Sequence, residues 1–285
     1  MANPGLDVNT LPDFRIIAYR KNDSSHTNEQ KQESESRKIL RTLTWTYCGP
    51  LLPLGSSVDD NGDEVFPPSY HAWHNATIQG PKLITSLKPF LEFAHEFMKS
   101  YGLENYCLTI RASLPTDDYN TPRWHTDLEV FPRRGNRKRP TQWGLATTLL
   151  GPGTLFAANG VPAREMLRNL SLQMKQEARD HACSSTCTFC VSTVEITRRR
   201  TTELLKGIEV VQAKDGDCCF FKAGTGKGSV HSEPPMQCDR IFVGIVPGSE
   251  EDLKAVLGNW GMEGFPLDWC LGLPNRFVPQ DFISG

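Results

Sequence analysis

The stretch Arg123-Trp124-His125-Thr126-Asp127 carries an imidazole and a carboxylate two residues apart. Successive side chains of a β-strand point to opposite faces, so His125 and Asp127 would share one face of a strand. Two such side chains can bind one metal ion, but they need a third ligand. The best candidate is His231, within the segment Gly228-Ser229-Val230-His231-Ser232.

Two histidines and one carboxylate on one face of an octahedron leave three positions open. This is the ligand set of non-heme Fe(II) oxygenases. Arg240 lies nine residues after His231 and opens the apolar run 241–246. A guanidinium at that point could hold the carboxylate of a co-substrate through two parallel hydrogen bonds.

The pattern His-x-Asp, a long gap, His and then Arg resembles the Fe(II)/2-oxoglutarate-dependent dioxygenase superfamily, over about residues 106–247. The resemblance implies that His125, Asp127 and His231 hold Fe(II), which 2-oxoglutarate chelates, and that Arg240 pairs with its far carboxylate. It also implies use of O2, release of succinate and CO2, and hydroxylation or a related C–H oxidation of a small organic substrate. Phe242 stands where a serine often follows the arginine, which leaves the second contact to the co-substrate carboxylate open.

Hydrophobic periodicity predicts a mainly β protein with flanking helices. Alternation of period two and β-branched residues predict strands at 13–19, 39–47, 106–112, 142–150, 191–197, 208–212 and 216–222. Apolar stripes of helical period predict helices at 83–100, 161–179 and 250–257. Antiparallel strands with glycine-bearing corners favour a jelly-roll barrel. The resembled superfamily implies the same fold, the double-stranded β-helix, which is a cupin-like barrel.

The chain length is compatible with a single domain, 1–285. Residues 1–105 are expected to form flanking helices and strands, and 106–247 the jelly-roll core with an insertion at 153–206. Residues 248–285 would form a C-terminal cover that includes Trp260, Phe265, Trp269 and Phe277.

Composition narrows the class of partner. The formal net charge is −2, and the basic run at 133–139 is short and local, so a small molecule is favoured over nucleic acid as the substrate. No apolar run approaches the ~20 residues of a membrane span, and the first residues lack the pattern of a signal peptide. Nine cysteines without a secretion signal are typical of reduced thiols, so we expect a cytoplasmic protein. The oligomeric state is not indicated.

Two further residues are candidates for substrate binding. Arg111 lies on the first predicted core strand and could hold an acid group of the substrate, or it could form a structural ion pair. Trp124 adjoins His125 and could pack against that ligand and fix its ring.

A cysteine cluster supports a different hypothesis. Cys183, Cys187 and Cys190 have the C-x3-C-x2-C spacing of radical S-adenosylmethionine enzymes, which bind a [4Fe–4S] cluster. In that class the motif opens a barrel of βα units, whereas here too few residues follow it. With His181 the same cysteines could bind structural zinc. Free thiols on a loop, or a disulfide formed in vitro, remain open.

Two other functions are compatible with the same barrel. It could be a catalytically inactive binding barrel, which the complete ligand set with Arg240 argues against. It could also be a cupin-like metalloenzyme without 2-oxoglutarate, which Arg240 argues against, because a guanidinium near the metal is needed only for an acidic co-substrate.

Overall fold

The computed structural model describes residues 12–20, 36–54, 66–117, 121–131, 142–179, 188–224 and 226–271. For residues 178–179 and 188–195 it describes the backbone only. Residues 133–139, His181, Cys183 and Cys187 lie outside these ranges, and so does the side chain of Cys190. The hypotheses placed on the basic run and on the cysteine cluster therefore stay predictions.

A seven-stranded antiparallel sheet is the largest element. Its strands, from one edge to the other, are β1 (Phe14–Ala18), β9 (Asp217–Lys222), β6 (Trp143–Leu150), β11 (Arg240–Gly248), β5 (Asn105–Ser113), β3 (Leu43–Pro50) and β12 (Leu267–Leu271). The strand expected at 13–19 lies at an edge, and β3, β5, β6 and β9 coincide with predicted strands. β12 was not predicted.

A smaller antiparallel sheet carries one of the three candidate metal ligands, His231. Its strands are β10 (His231–Ser232), β7 (Leu155–Ala157) and β8 (Val210–Gln212), and β2 (Lys38–Ile39) pairs separately with β4 (Ile78–Gln79). No strand pairing within the described ranges joins the large sheet to the small one, so the predicted barrel is not closed by hydrogen bonds there. Side chains connect the sheets instead: Phe156 of β7 stacks on Phe14 of β1 at 4.5 Å between ring centroids.

Five helices are described: α1 (Pro68–Thr77), α2 (Ile84–Ser100), α3 (Gly160–Arg179), α4 (Thr188–Leu204) and α5 (Glu250–Asn259). α2, α3 and α5 confirm the predicted helices. α1 was missed, although Pro68 at its first position fits a helix start, because its ten residues carry only a weak apolar stripe. The strand predicted at 191–197 is wrong, since this segment belongs to α4; its β-branched residues indicate a strand only weakly, and context decides.

The helices α1 and α2 cover one face of the large sheet and fix which side chains face the other way. Along β5, Tyr106, Leu108, Ile110 and Ala112 are fully buried in the core with these helices. The alternate residues Cys107, Thr109 and Arg111 therefore face the small sheet, where they line a cavity. β11 alternates in the same way and places Arg240 in that cavity.

The C-terminal aromatic residues differ in their surroundings. Phe265 and Trp269 are partly buried against α5, whereas Trp260 is 53% exposed, and Phe277 lies outside the described residues. None of the helices in the described ranges is long and apolar enough to cross a membrane. The division into flanking, core and cover segments stays a prediction, as does the cytoplasmic location.

One turn of the large sheet can be tested by substitution. We expect Gly151→Ala to lower the free energy of unfolding by about 1–3 kcal/mol, because Gly151 has a φ of +80° and a Cβ there would lie 2.4 Å from the carbonyl oxygen of Asp239. Urea unfolding followed by circular dichroism measures the change. Gly258→Ala is the control: it lies in α5, where a Cβ meets nothing within 4 Å, and it should stabilise by up to about 1 kcal/mol. Equal free energies of unfolding for Gly151→Ala and the unsubstituted protein would contradict the expected backbone strain at position 151.

Candidate metal and co-substrate site

The backbone brings the two candidate histidines side by side. His125 donates its N–H to the His231 carbonyl at 3.0 Å, and His231 donates in return at 2.9 Å. This pair forms an isolated β-bridge, and the two imidazole centroids are 4.4 Å apart. Asp127 lies outside any strand, and its carbonyl accepts a hydrogen bond from Gly224 at 2.8 Å. The predicted strand at this point is therefore a single bridge followed by a loop.

The three side chains converge on one point. One ligand atom from each of His125, Asp127 and His231 lies within 4.8 Å of the other two. The Nε2 atom of each histidine is 3.6 Å from Oδ1 of Asp127. Ligand atoms held ~2.1 Å from one ion lie about 3 Å apart at an octahedral edge, so small side-chain shifts suffice to bind a metal.

Backbone carbonyls fix the orientation of both imidazole rings. Nδ1 of His125 lies 2.6 Å from the Arg123 carbonyl, and Nδ1 of His231 lies 3.0 Å from the Ser229 carbonyl. A carbonyl can only accept, so each Nδ1 carries the proton and each Nε2 presents a lone pair to the shared point. Such outer hydrogen bonds are the usual way in which a metal-binding histidine is oriented.

The electrostatics favour the protonation states that a metal needs. Burial lowers the pKa of His231, and the charge of His125 lowers it further against the opposing effect of Asp127. Burial acts to raise the pKa of Asp127, but the interactions with His125, His231 and Arg123 leave that pKa below its ordinary value. A neutral imidazole and an ionised carboxylate follow at neutral pH, and both are competent ligands.

Arg240 is a buried cation held by neutral groups. Its residue is 3% exposed, and its Nε donates to the Pro152 carbonyl at 2.9 Å. Nη2 makes longer hydrogen bonds to the hydroxyls of Thr154, at 3.3 Å, and Thr148, at 3.5 Å. Burial lowers the pKa of Arg240 to about 10, so the guanidinium remains charged at neutral pH.

No carboxylate among the described residues lies within 4 Å of the Arg240 guanidinium. A buried charge without an ionic partner is unfavourable, so this arrangement indicates a place for an anionic ligand. Arg240, Thr154 and the three candidate ligands all line one cavity of about 250 Å³ between the sheets. The cavity thus has a metal-binding end and a cationic end.

The structure separates the two predicted substrate-binding residues. Arg111 lines this cavity, and its Nη1 lies 3.8 Å from Oε1 of Glu233. Trp124 does not line it. Trp124 is 7% exposed and packs instead in a separate cluster with Ala157 and Val230.

The sequence did not point to two charged residues of the site, Arg123 and Glu233. Nη2 of Arg123 donates to Oε1 of Glu233 at 2.8 Å, and both residues line the cavity. Each is two positions from a candidate ligand, Arg123 before His125 and Glu233 after His231. The same period-two spacing that selected Asp127 could have found them.

Comparisons with known proteins give only distant structural similarity. No family model matches the chain, and no curated protein matches it. A viral collagen prolyl hydroxylase from Paramecium Bursaria Chlorella virus-1 aligns at 10% identity over 87% of this chain and 100% of that chain, with a TM-score of 0.34. Its 2-oxoglutarate complex aligns at 11% identity, 85% and 98% coverage and a TM-score of 0.35. A Pseudomonas putida prolyl-4-hydroxylase aligns at 10% identity, 84% and 94% coverage and a TM-score of 0.33. These TM-scores are all below 0.5, so the similarity carries no argument about function.

Proposed function

We propose that this protein is an Fe(II)- and 2-oxoglutarate-dependent oxygenase that oxidises a C–H bond of a small organic substrate. The observation that carries the proposal is Arg240, a buried guanidinium without a carboxylate partner among the described residues, in the same cavity as His125, Asp127 and His231. Bound iron would supply the activation of O2, with succinate and CO2 released from the co-substrate.

His125, Asp127 and His231 would hold the metal. Three protein ligands leave open positions, which a co-substrate and O2 require. The carbonyls of Arg123 and Ser229 keep the two imidazoles in the tautomer that binds through Nε2. His231 as a neutral imidazole and Asp127 as an ionised carboxylate need no change of protonation at neutral pH to bind the ion.

Arg240 would bind the far carboxylate of 2-oxoglutarate. The Pro152 carbonyl accepts from Nε and thereby orients the guanidinium, as a planar fork requires for a bidentate pair. The hydroxyl of Thr154 lines the cavity and lies 3.3 Å from Nη2 of Arg240. We therefore assign to Thr154 the second carboxylate contact, which the sequence left open.

The strand order supports a double-stranded β-helix for this function. β5, β11, β6 and β9 are neighbours in the large sheet. The small sheet has three strands, and the β-bridge between His125 and His231 adds a fourth segment beside β10. A jelly roll has eight strands in two facing antiparallel sheets, so these four strands of the seven-stranded sheet, together with the small sheet and its bridge, fit that arrangement. The metal site would lie between them, on the small sheet, with Arg240 opposite on the large sheet.

Removal and replacement of the metal tests the proposal. We expect protein stripped with a chelator to release no succinate from 2-oxoglutarate, and Fe(II) to restore the release. Zn(II) should bind the same ligands without restoring it, because Zn(II) has no redox chemistry. Succinate and 2-oxoglutarate are quantified by chromatography in matched samples that contain Fe(II), Zn(II) or no metal.

The three candidate functions give different results in this experiment. A cupin-like metalloenzyme would turn over its substrate without consuming 2-oxoglutarate, and an inactive binding barrel would release no succinate with any metal. Either result would contradict the proposal. Equal succinate release by the stripped and the Fe(II)-loaded protein would also contradict it.

A further inference from the structure

A second chamber of about 520 Å³ adjoins the metal-site cavity. The two share four lining residues, which are Arg111, Arg123, Glu233 and Arg240. The chamber volume lies within the roughly 300–1,000 Å³ typical of small-molecule pockets. Because the inner cavity suits a small dicarboxylic acid, the outer chamber is the place left for a substrate.

The charge of this chamber is strongly positive. Arg198 of α4 joins Arg111, Arg123 and Arg240 in its lining, and Glu233 is the one acidic residue there among the described residues. Without Arg198, the guanidinium groups of Arg111, Arg123 and Arg240 outnumber the carboxylate of Glu233 by two positive charges among the described lining residues. The whole chain has a formal net charge of −2. The positive charge is therefore concentrated at this chamber and does not reflect a basic protein.

The guanidinium groups of Arg111 and Arg123 keep donors available. Arg123 donates a single side-chain hydrogen bond, to Glu233, and Arg111 lies 3.8 Å from the same Oε1 atom, beyond hydrogen-bond distance. The side chains of Arg111 and Arg123 are 46% and 45% exposed. Each guanidinium has five donors, so Glu233 holds the pair in place and most of their N–H groups have no hydrogen-bond partner among the described residues.

An apolar wall lies in the same chamber. Leu114, Pro115, Pro234 and Met236 line it. A ligand that fits both surfaces has an anionic group for the arginines and an apolar body for this wall. A neutral polar ligand would leave the excess charge uncompensated.

We propose that the substrate is a small amphipathic acid, with a carboxylate or phosphate bound by Arg111 and Arg123 and an apolar body against Leu114 and Met236. This inference rests on the proposed function, because it names the substrate class of that site. Arg240 stays reserved for the co-substrate.

Matched pairs of acid and neutral probes test the proposal. The pairs are hexanoate and hexanamide, 3-phenylpropanoate and 3-phenylpropanamide, and hexyl phosphate and hexanol. Binding is measured by calorimetric titration on metal-free protein and on protein loaded with Fe(II) and 2-oxoglutarate under argon. Comparing hexanoate with hexyl phosphate distinguishes a carboxylate from a phosphate substrate.

We expect the acids to bind both forms of the protein, and the neutral partners to bind at least about tenfold more weakly, as for a lost charge-assisted hydrogen bond. The double variant Arg111→Met with Arg123→Met should weaken acid binding by at least the same factor. Arg168→Met with Lys175→Met is the matched control, since both residues are exposed on α3, line neither chamber and together remove the same two charges. Its affinity for the acids should equal that of the unsubstituted protein.

Several outcomes would overturn the substrate class. These are equal binding of acid and neutral probes, no acid binding at millimolar concentration, or unchanged acid binding by the double variant. Loss of acid binding in Arg240→Met alone, or binding of acidic peptides but not of small acids, would overturn it too. Weak acid binding with intact Fe(II)-dependent succinate release would overturn this inference and leave the proposed function standing. Tight acid binding without Fe(II)-dependent succinate release would contradict the proposed function and leave the acid-binding chamber standing.

Discussion

His125→Ala, Asp127→Ala and His231→Ala are each expected to abolish high-affinity Fe(II) binding and turnover. The three ligand atoms lie within 4.8 Å of one another, and an open facial site has no fourth protein ligand to replace a lost one. Loss of an outer hydrogen-bond partner alone typically lowers metal affinity about 10–100-fold. Loss of a ligand should exceed that range.

Iron affinity is measured by anaerobic equilibrium dialysis, and circular dichroism checks that each variant is folded. His231→Gln serves as a second variant at the most buried ligand, because it keeps the size and a polar group. His71→Ala and Asp215→Ala are matched controls outside the site, on α1 and before β9, and should bind iron normally. Near-full iron binding and activity in a folded His125, Asp127 or His231 variant would show that the residue is not a ligand.

Arg240→Ala is expected to raise the Michaelis constant for 2-oxoglutarate by about one to two orders of magnitude or more. Charge-assisted hydrogen bonds contribute roughly 1.5–3 kcal/mol each, and ~1.4 kcal/mol corresponds to a tenfold change. Arg240→Lys should rescue only in part, because an ammonium lacks the planar fork that the Pro152 carbonyl orients. Iron binding should change little in both variants, because Arg240 is not a ligand.

The measurement is a 2-oxoglutarate titration of succinate release, with iron content determined on the same samples. Arg168→Ala controls for the loss of one positive charge on the surface. An unchanged Michaelis constant for 2-oxoglutarate in folded Arg240→Ala would show that Arg240 does not bind the co-substrate. It would favour a cupin-like metalloenzyme instead.

The parts of the fold that could be predicted from the sequence depend on local periodicity. β5 alternates buried and cavity-facing residues along nine positions, and α2 has an apolar stripe over seventeen, so both were found. The segment 191–197 carries β-branched residues that suit a strand, yet it belongs to α4. Its local preference for a strand is weak, and the tertiary context decides the outcome. β12 was missed because its pairing with β3 joins residues far apart in the chain.

The candidate site divides in the same way. The spacing of His125 and Asp127 is local and was visible, and His231 followed from the need for a third ligand. The joint contact of Arg111 and Arg123 with Glu233 depends on three distant segments meeting. For Trp124, the local sequence suggested a contact that the structure does not show. Its position beside His125 suggested a role in the pocket, but its side chain packs in a separate apolar cluster.

Anaerobic titration of 2-oxoglutarate into the Fe(II)-loaded protein tests the central claim most directly. Chelation of Fe(II) by an α-keto acid produces a visible charge-transfer absorption, which reports that metal and co-substrate meet in one site. We predict a saturable absorption with one equivalent of 2-oxoglutarate per iron, absent in Asp127→Ala and shifted to higher 2-oxoglutarate concentration in Arg240→Ala. Stoichiometric Fe(II) binding without any such absorption at saturating 2-oxoglutarate would contradict the account.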